Sequence, residues 1–310
     1  MKTALVLLRT PFQASIVAKI LDQEDVGEFD LLYFTQNNAE EDRYYFNTLT
    51  KHARSAAYCH APVRRFDILG HMDWYRQARS WIRDHGCDLT IMASIDNYIF
   101  GAIAYRQIGS ELITMDDGTA NLFKAAGYYT DRSNRRGRAY RYLLGAYDLS
   151  EMKKRISRHY TLHPQFENIV SRDKLRSIQS SPPSPAKADA SPITFFIGGP
   201  FEEVLTQEQI YRLAAHVRAQ PVDYYIKHPR EVAPLEIGAP FLDKSGLIAE
   251  DAIMRAAAGR PVHLIGWFSS VLFNIGGRAT RRTMLLPKDA SHNREQAKMA
   301  EAVGCETVFL

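Results

Sequence analysis

Short runs of consecutive apolar residues alternate along this chain with segments whose apolar positions recur every three to four residues. Residues 4–8 form one such run, a helical period occupies 12–21, and further runs stand at 31–35, 89–93 and 111–115. A strand-length run that is apolar throughout is buried on both faces, and a period of 3.6 marks a helix that covers it. The alternation therefore predicts mostly parallel sheets coated by helices, an α/β fold.

Between residues 177 and 192 the pattern stops. This stretch reads SIQSSPPSPAKADASP, with clustered Ser, Pro and Ala and no apolar period, and it predicts an exposed linker. Beyond it the alternation resumes, with strands expected at 193–197, 223–226 and 262–265 and helices at 206–219, 250–258 and from about 291 to 303. The expected organisation is an N-terminal α/β domain over 1–176, a linker over 177–192 and a C-terminal α/β domain over 193–310. Two such domains are expected to form a cleft. Ligands of open α/β sheets lie beyond the carboxyl ends of strands, so the loops that follow the strands are where chemistry is sought.

Composition narrows the class without deciding it. At 310 residues, 45% hydrophobic and 24% charged, the chain has material for two cores of ordinary size. A net charge of +4 is too small to specify a nucleic-acid partner. Cys59, Cys87 and Cys305 are scattered and odd in number, a usage that fits a reducing cytoplasm better than a disulfide scaffold or a zinc site. The opening apolar run ends at Arg9 with no small-residue cleavage site after it, so it reads as a strand and not a signal peptide. No run approaches the roughly 20 apolar residues that span a bilayer, so membrane contact is expected to be peripheral.

Positive charge clusters once, in the segment from Arg132 to Arg158, where Tyr140, Tyr142 and Tyr147 are interleaved with the Lys and Arg residues. This is either a solvated helical face or a surface that meets anionic lipid or a phosphorylated glycolipid. No nucleic-acid recognition module accompanies the charge, so nucleic acid is not expected as a partner.

Three loops after expected strands carry residues able to bind anions or move protons. Asp116 and Asp117 precede Gly118, and adjacent carboxylates at a strand end serve either an Asx turn or N-cap or a general base. Lys227-His228-Pro229-Arg230 follows the strand at 223–226, and its histidine either bonds backbone or donates to a phosphate oxygen. Ser269 and Ser270 follow Gly266-Trp267-Phe268, and hydroxyls at a strand-to-helix turn either cap the helix or bind an anion without a metal. Gly198 and Gly199 close the strand at 193–197, relieving a tight turn or letting backbone N–H groups approach a ligand.

Taken in order, Asp116-Asp117-Gly118, His228-Pro229 and Ser269-Ser270 resemble the acidic-Gly, His-Pro and Ser-Ser/Thr motifs of the bacterial lipooligosaccharide sialyltransferases, glycosyltransferase family 52. Leu8-Arg9-Thr10-Pro11-Phe12-Gln13 also looks like the Thr-Pro-x-Gln start of that family, so the resemblance spans the chain and brings in Thr10 and Gln13. It implies a GT-B-like pair of Rossmann-type domains with mostly parallel sheets facing across a cleft, the CMP-sialic acid donor held by the second domain and a glycan acceptor by the first. On that analogy His228 contacts the donor phosphate as general acid, beside Lys227 and Pro229. Ser269 and Ser270 bind phosphate oxygens, and Glu250 stands where relatives keep a carboxylate for the ribose, although a helix-start charge explains it equally. The proton-accepting carboxylate is either in Asp116-Asp117 or in Glu202-Glu203.

The resemblance thus implies an inverting α-2,3-sialyltransferase that extends a galactose-type terminus of a bacterial surface glycan. It implies work at the cytoplasmic face of the inner membrane, and relatives suggest a homodimer. A single phosphodiester charge can be met by His, Lys and hydroxyl groups, so neither a metal nor a cofactor is expected. Other readings stay open: a glucosyltransferase of the same fold, a non-catalytic nucleotide- or glycan-binding protein, and an RNA-binding protein using the Arg-rich segment.

Overall fold

The apolar run at the start of the chain becomes β1 (Lys2–Leu8), and Ala4 through Leu8 are each at most 1% exposed. Thr10 caps the following helix α1 (Pro11–Gln23), whose first residue is the proline that an N-terminal turn accepts without losing a hydrogen bond. After these come β2 (Val26–Thr35), α2 (Glu40–Thr50), β3 (Ser55–His60), α3 (Ile68–Ala78), β4 (Leu89–Met92), α4 (Tyr98–Arg106) and β5 (Glu111–Met115). Then α5 (Leu149–Arg155), β6 (Ile156–Thr161) and β7 (Leu175–Ser177) complete a first sheet in the order β3-β2-β1-β4-β5-β6-β7. Every pairing in it is parallel.

This is a computed structural model, and it describes residues 1–60, 68–119, 121–122, 128–129, 139, 141–143, 145–178, 190–288 and 293–310. The chain divides into two compact units, Met1–Ser180 and Ser181–Leu310. Most of the Ser/Pro-rich stretch lies outside the described residues, while Ser177 at its start closes β7.

The second unit contains β8 (Ile193–Ile197), α6 (Gln207–Arg218), β9 (Tyr224–Ile226), α7 (Ala249–Ala257), β10 (Val262–Gly266), α8 (Ser270–Asn274), β11 (Arg281–Leu286), α9 (Asn293–Ala302) and β12 (Glu306–Phe309). Its sheet runs β12-β11-β10-β8-β9, again parallel throughout. Both sheets are doubly wound, and each reverses direction once: at β1/β4 in the first unit and at β8/β10 in the second. At such a reversal the connections leave toward opposite faces, which opens a crevice at the carboxyl ends of the two strands.

The first core forms where Leu5, Leu7, Leu32 and Phe34, all 0% exposed, meet the helices. Phe34 packs edge-on against Trp74 with ring centroids 4.7 Å apart, a geometry that adds to simple area burial.

Candidate functional site

In the second unit the crevice at β8/β10 is bordered by Gly198-Gly199 after β8 and by Trp267 through Ser270 after β10, with the His-Pro loop entering from β9. One buried carboxylate ties the loop after β8 to the His-Pro loop. Glu231, 4% exposed, accepts from the Tyr225 hydroxyl and, at 3.1 Å, from the backbone N–H of His228. The Gly199 backbone also bonds to it. Burial pushes the Glu231 carboxyl above its ordinary range, and the donors around it offset part of that rise.

Gly198 is what lets the carboxylate in. A Cβ there would lie 2.3 Å from Glu231 Oε2 and 2.8 Å from Tyr225 Cε1. The glycine that the sequence offers as a backbone approach to a ligand is thus needed for packing against Glu231. Gly199 is less constrained, its imagined Cβ meeting the Phe201 ring at 3.2 Å.

His228 is half-buried, and its Nδ1 accepts from the Arg230 N–H at 3.1 Å. The ring is therefore held as the tautomer with the proton on Nε2, which is left as a donor. Burial and then the Arg230 charge push its pKa down, while Glu203 acts in the opposite direction. The lowered pKa favours the uncharged ring, whose Nε2–H remains a hydrogen-bond donor. Lys227 and Pro229 beside it are exposed.

Glu203 ends a single 3₁₀ turn (Phe201–Glu203), is exposed, and pairs through Oε2 with Arg230 Nη1 at 2.8 Å. Glu202 accepts from the Ala233 N–H at 3.2 Å. The acidic pair is thus tied to the chain that follows His228-Pro229.

Ser269 caps α8, its Oγ accepting from the Val271 N–H at 3.3 Å, and Ser270 is the first residue of that helix; both are half-buried. Glu250 lies in the first turn of α7, 5% exposed, and accepts from Asn274 Nδ2 at the far end of α8, at 3.1 Å. Burial pushes its carboxyl up as well. The link sets the start of α7 against the helix that Ser269 opens. Trp267 Nε1 is buried and has no hydrogen-bond partner among the described residues.

In the first unit the two aspartates of the acidic motif part company. Asp116 is 0% exposed and spends its oxygens on β6: Thr161 Oγ1 at 2.9 Å, the Leu162 N–H at 2.8 Å and His159 Nε2 at 3.2 Å. It fastens β5 to β6 and offers nothing to a ligand. Asp117 faces the other way and accepts from Gln13 Nε2 at 2.8 Å, Ser94 Oγ at 2.8 Å and the Tyr128 hydroxyl at 2.5 Å. Gly118 completes the turn at φ +60°, a backbone conformation that favours glycine.

Gln13 is 0% exposed and also bonds Ser94 Oγ at 3.0 Å and the Arg9 N–H at 2.7 Å. Thr10 Oγ1 accepts from the Gln13 N–H at 3.3 Å, so its visible part is that of a helix cap. Thr10, Gln13 and Asp117 therefore converge at the carboxyl ends of β1, β4 and β5, over the β1/β4 reversal. Three residues not singled out from the sequence complete this place: Ser94, Asp96 and Tyr128. Ser94 is buried at φ +52°, which side chains adopt only under constraint.

The Arg-rich segment is described only in part. Residues 132–138 are outside the described part, as is Tyr140. Further along, Arg155 donates to the Ala104 carbonyl at 2.6 Å and the Tyr147 hydroxyl at 2.8 Å, and Arg158 pairs with Glu24 at 2.9 Å and Glu111 at 2.7 Å. These two arginines are spent inside the fold. No helix among the described residues is long and apolar enough to cross a membrane, and no three His, Cys, Asp or Glu side chains among them converge as a metal-binding group.

Comparison with known proteins bears on what this arrangement serves. A family model described as glycosyltransferase family 52 matches residues 28–282. The N-acetyllactosaminide alpha-2,3-sialyltransferase of Haemophilus influenzae is 26% identical over 275 residues, 87% of this chain and 88% of that protein. The CMP-N-acetylneuraminate:beta-galactoside alpha-2,3-sialyltransferase of Pasteurella multocida is 25% identical over 280 residues, 87% of this chain and 86% of that protein. Among solved structures, a glycosyltransferase of kitacinnamycin superposes with a TM-score of 0.53 at 10% identity, covering 99% of this chain and 86% of that one. The two doubly wound parallel sheets are of the GT-B class.

Proposed function

Because this chain belongs to glycosyltransferase family 52, we propose that it transfers sialic acid from CMP-sialic acid to a galactose-type terminus of a bacterial surface glycan, in α-2,3 linkage and with inversion. The observation that supports this reading is the set of loops at the carboxyl ends of β9, β8 and β10, where His228 keeps Nε2–H as a donor next to Lys227 and the double-serine turn opens the helix after β10.

In the reaction, the acceptor hydroxyl oxygen bonds to the anomeric carbon as the bond from that carbon to the CMP phosphate oxygen breaks. The hydroxyl proton goes to a carboxylate, and the negative charge leaves with CMP. His228 Nε2–H donates a hydrogen bond to the phosphate and so stabilises the negative charge that leaves with CMP. Lys227 and the serines meet the remaining charge, so no divalent ion is required.

Glu203 takes the role of base in this scheme. A base needs an open lone pair, and Glu203 is exposed with one ion pair on one oxygen, whereas Asp117 already accepts three bonds. Asp117 then organises the first unit, which receives the acceptor.

Mass spectrometry of products from CMP-Neu5Ac and a panel of galactose-terminated acceptors, in the presence of a chelator, tests the reading. A product gaining one sialic acid, and losing it to an α-2,3-specific sialidase, is expected. Transfer of glucose from UDP-glucose with no use of CMP-Neu5Ac would replace the donor assignment.

A further inference from the structure

The crevice at the β1/β4 reversal contains a carboxylate with no assigned task. Asp96 follows β4 on the turn that Ser94 begins, and that turn is fixed from below by the bonds from Ser94 to Asp117 and from Gln13 to Ser94. From above, Arg141 Nη2 donates to the Asp96 carbonyl at 3.1 Å. The backbone that presents Asp96 is therefore held on both sides, in a conformation that Ser94 adopts only under constraint.

The ordinary structural task for an acid at this position is absent. Asn97, not Asp96, caps α4, accepting from the Ile99 and Phe100 N–H groups at 2.9 and 3.1 Å. Asp96 is exposed, and its carboxylate accepts from its own backbone N–H while no other described residue is seen to donate to it. Arg9 and Asp117 are close enough to act on its charge, and Arg9 Nε is buried without a partner. Although the side chain reaches solvent, the protein around it pushes its carboxyl above the ordinary range, and Asp117 adds to that rise against the pull of Arg9. A carboxylate with lone pairs to spare, and a guanidinium near enough to act on its charge, offer the acceptors and donors that the hydroxyls of a polyol need.

We propose that Asp96, with Arg9 beside it, binds hydroxyl groups of the neutral acceptor sugar and so fixes which hydroxyl is offered for transfer. This rests on the sialyltransferase reading and adds to it a residue that determines acceptor specificity. The negative charge of Asp96 also disfavours an acceptor that ends in an acidic sugar, which gives the chain a preference for unsialylated ends.

The test compares the wild-type chain with D96N and D96E in two measurements. Saturation-transfer NMR reads binding of lactose and N-acetyllactosamine, and steady-state kinetics read KM for acceptor and for CMP-Neu5Ac separately. The expected result is saccharide binding by wild type, loss of it in D96N with acceptor KM raised about 10- to 100-fold, partial rescue in D96E, and an unshifted melting temperature. Equal saccharide binding by wild type and D96N overturns the proposal, as does failure of the wild type to bind either saccharide or an equal rise of both KM values. If wild type transfers sialic acid and D96N matches it, Asp96 alone is misassigned; if wild type binds the saccharides but never uses CMP-Neu5Ac, the donor reading fails while the sugar site stands.

Discussion

Replacing Gly198 by Ala puts one methyl group where the structure leaves no room. The added carbon would lie 2.3 Å from Glu231 Oε2 and 2.8 Å from Tyr225 Cε1, and neither neighbour is the free end of a long side chain. Tyr225 is part of β9, and Glu231 is pinned by Tyr225, His228 and Gly199. Overpacking of this kind costs about 1–3 kcal/mol, and displacing the carboxylate weakens charge-assisted bonds worth about 1.5–3 kcal/mol each. Gly198 is outside the left-handed region, so the substitution also gains about 0.4–1 kcal/mol by stiffening the unfolded chain. The balance is a destabilisation of about 2–3 kcal/mol, which in a chain of this size lowers Tm by roughly 3–5 °C. Circular dichroism melts of wild type, G198A, E231A and the double variant form the assay. In the E231A background the methyl group has space, so G198A should then cost little, with a coupling of about 1–3 kcal/mol between the two positions. A G198A protein that melts with the wild type, or a penalty that is the same in both backgrounds, would show that this packing is not what the glycine serves.

H228A should lower kcat by about 10²-fold or more if the ring assists departure of CMP, read from CMP release; retention of wild-type turnover would remove His228 from the chemistry. Because its pKa in the folded chain is lowered from 6.5, the unfolded chain takes up the proton first, so the wild type should lose stability as pH falls below about 6.5. H228N should lose less over the same window, as followed by denaturant midpoints. E203Q should reduce single-turnover transfer by about 10²-fold or more while CMP binding persists; a larger loss in D117N than in E203Q would move the base to the first unit. D116A leaves Thr161, Leu162 and His159 without their acceptor in a site closed to water, a loss of about 2–4 kcal/mol, and its melt should show that cost before any kinetic effect is considered.

The strands that were legible in the sequence are the central ones. β1 and β8 are apolar over five successive positions because both faces are covered, and their expected spans fall within or match the observed ones. β6 was hidden for the opposite reason. Its sequence, ISRHYT, carries Arg158 and His159 in a largely buried strand, and partners such as Glu24, Glu111 and Asp116, supplied from distant parts of the chain, make that tolerable. β3 and β12 are edge strands with one face half-exposed, so their pattern is weak.

The motifs could be found as loops after strands, yet their division of labour could not. Asp116 and Asp117 are adjacent in sequence and differ only in which side of the strand end they leave from. Glu231 escaped notice because its role depends on the missing side chain of Gly198, more than thirty positions earlier. Asp96 escaped because strand order, which puts the loop after β4 beside the loop after β1, is not written in any local pattern.

Each unit has its own reversal of strand order, and the two reversals differ in what they can change without harm. If the first unit receives the acceptor as proposed, exchange of the loops after β1, β4 and β5 between relatives alters the sugar being extended, with the fastening of Glu231 to His228 left whole in the other compact unit. Inheritance of new acceptors by this chain would then be a matter of loop grafting in one half, and a chimera carrying a foreign first unit is the natural way for such diversity to arise.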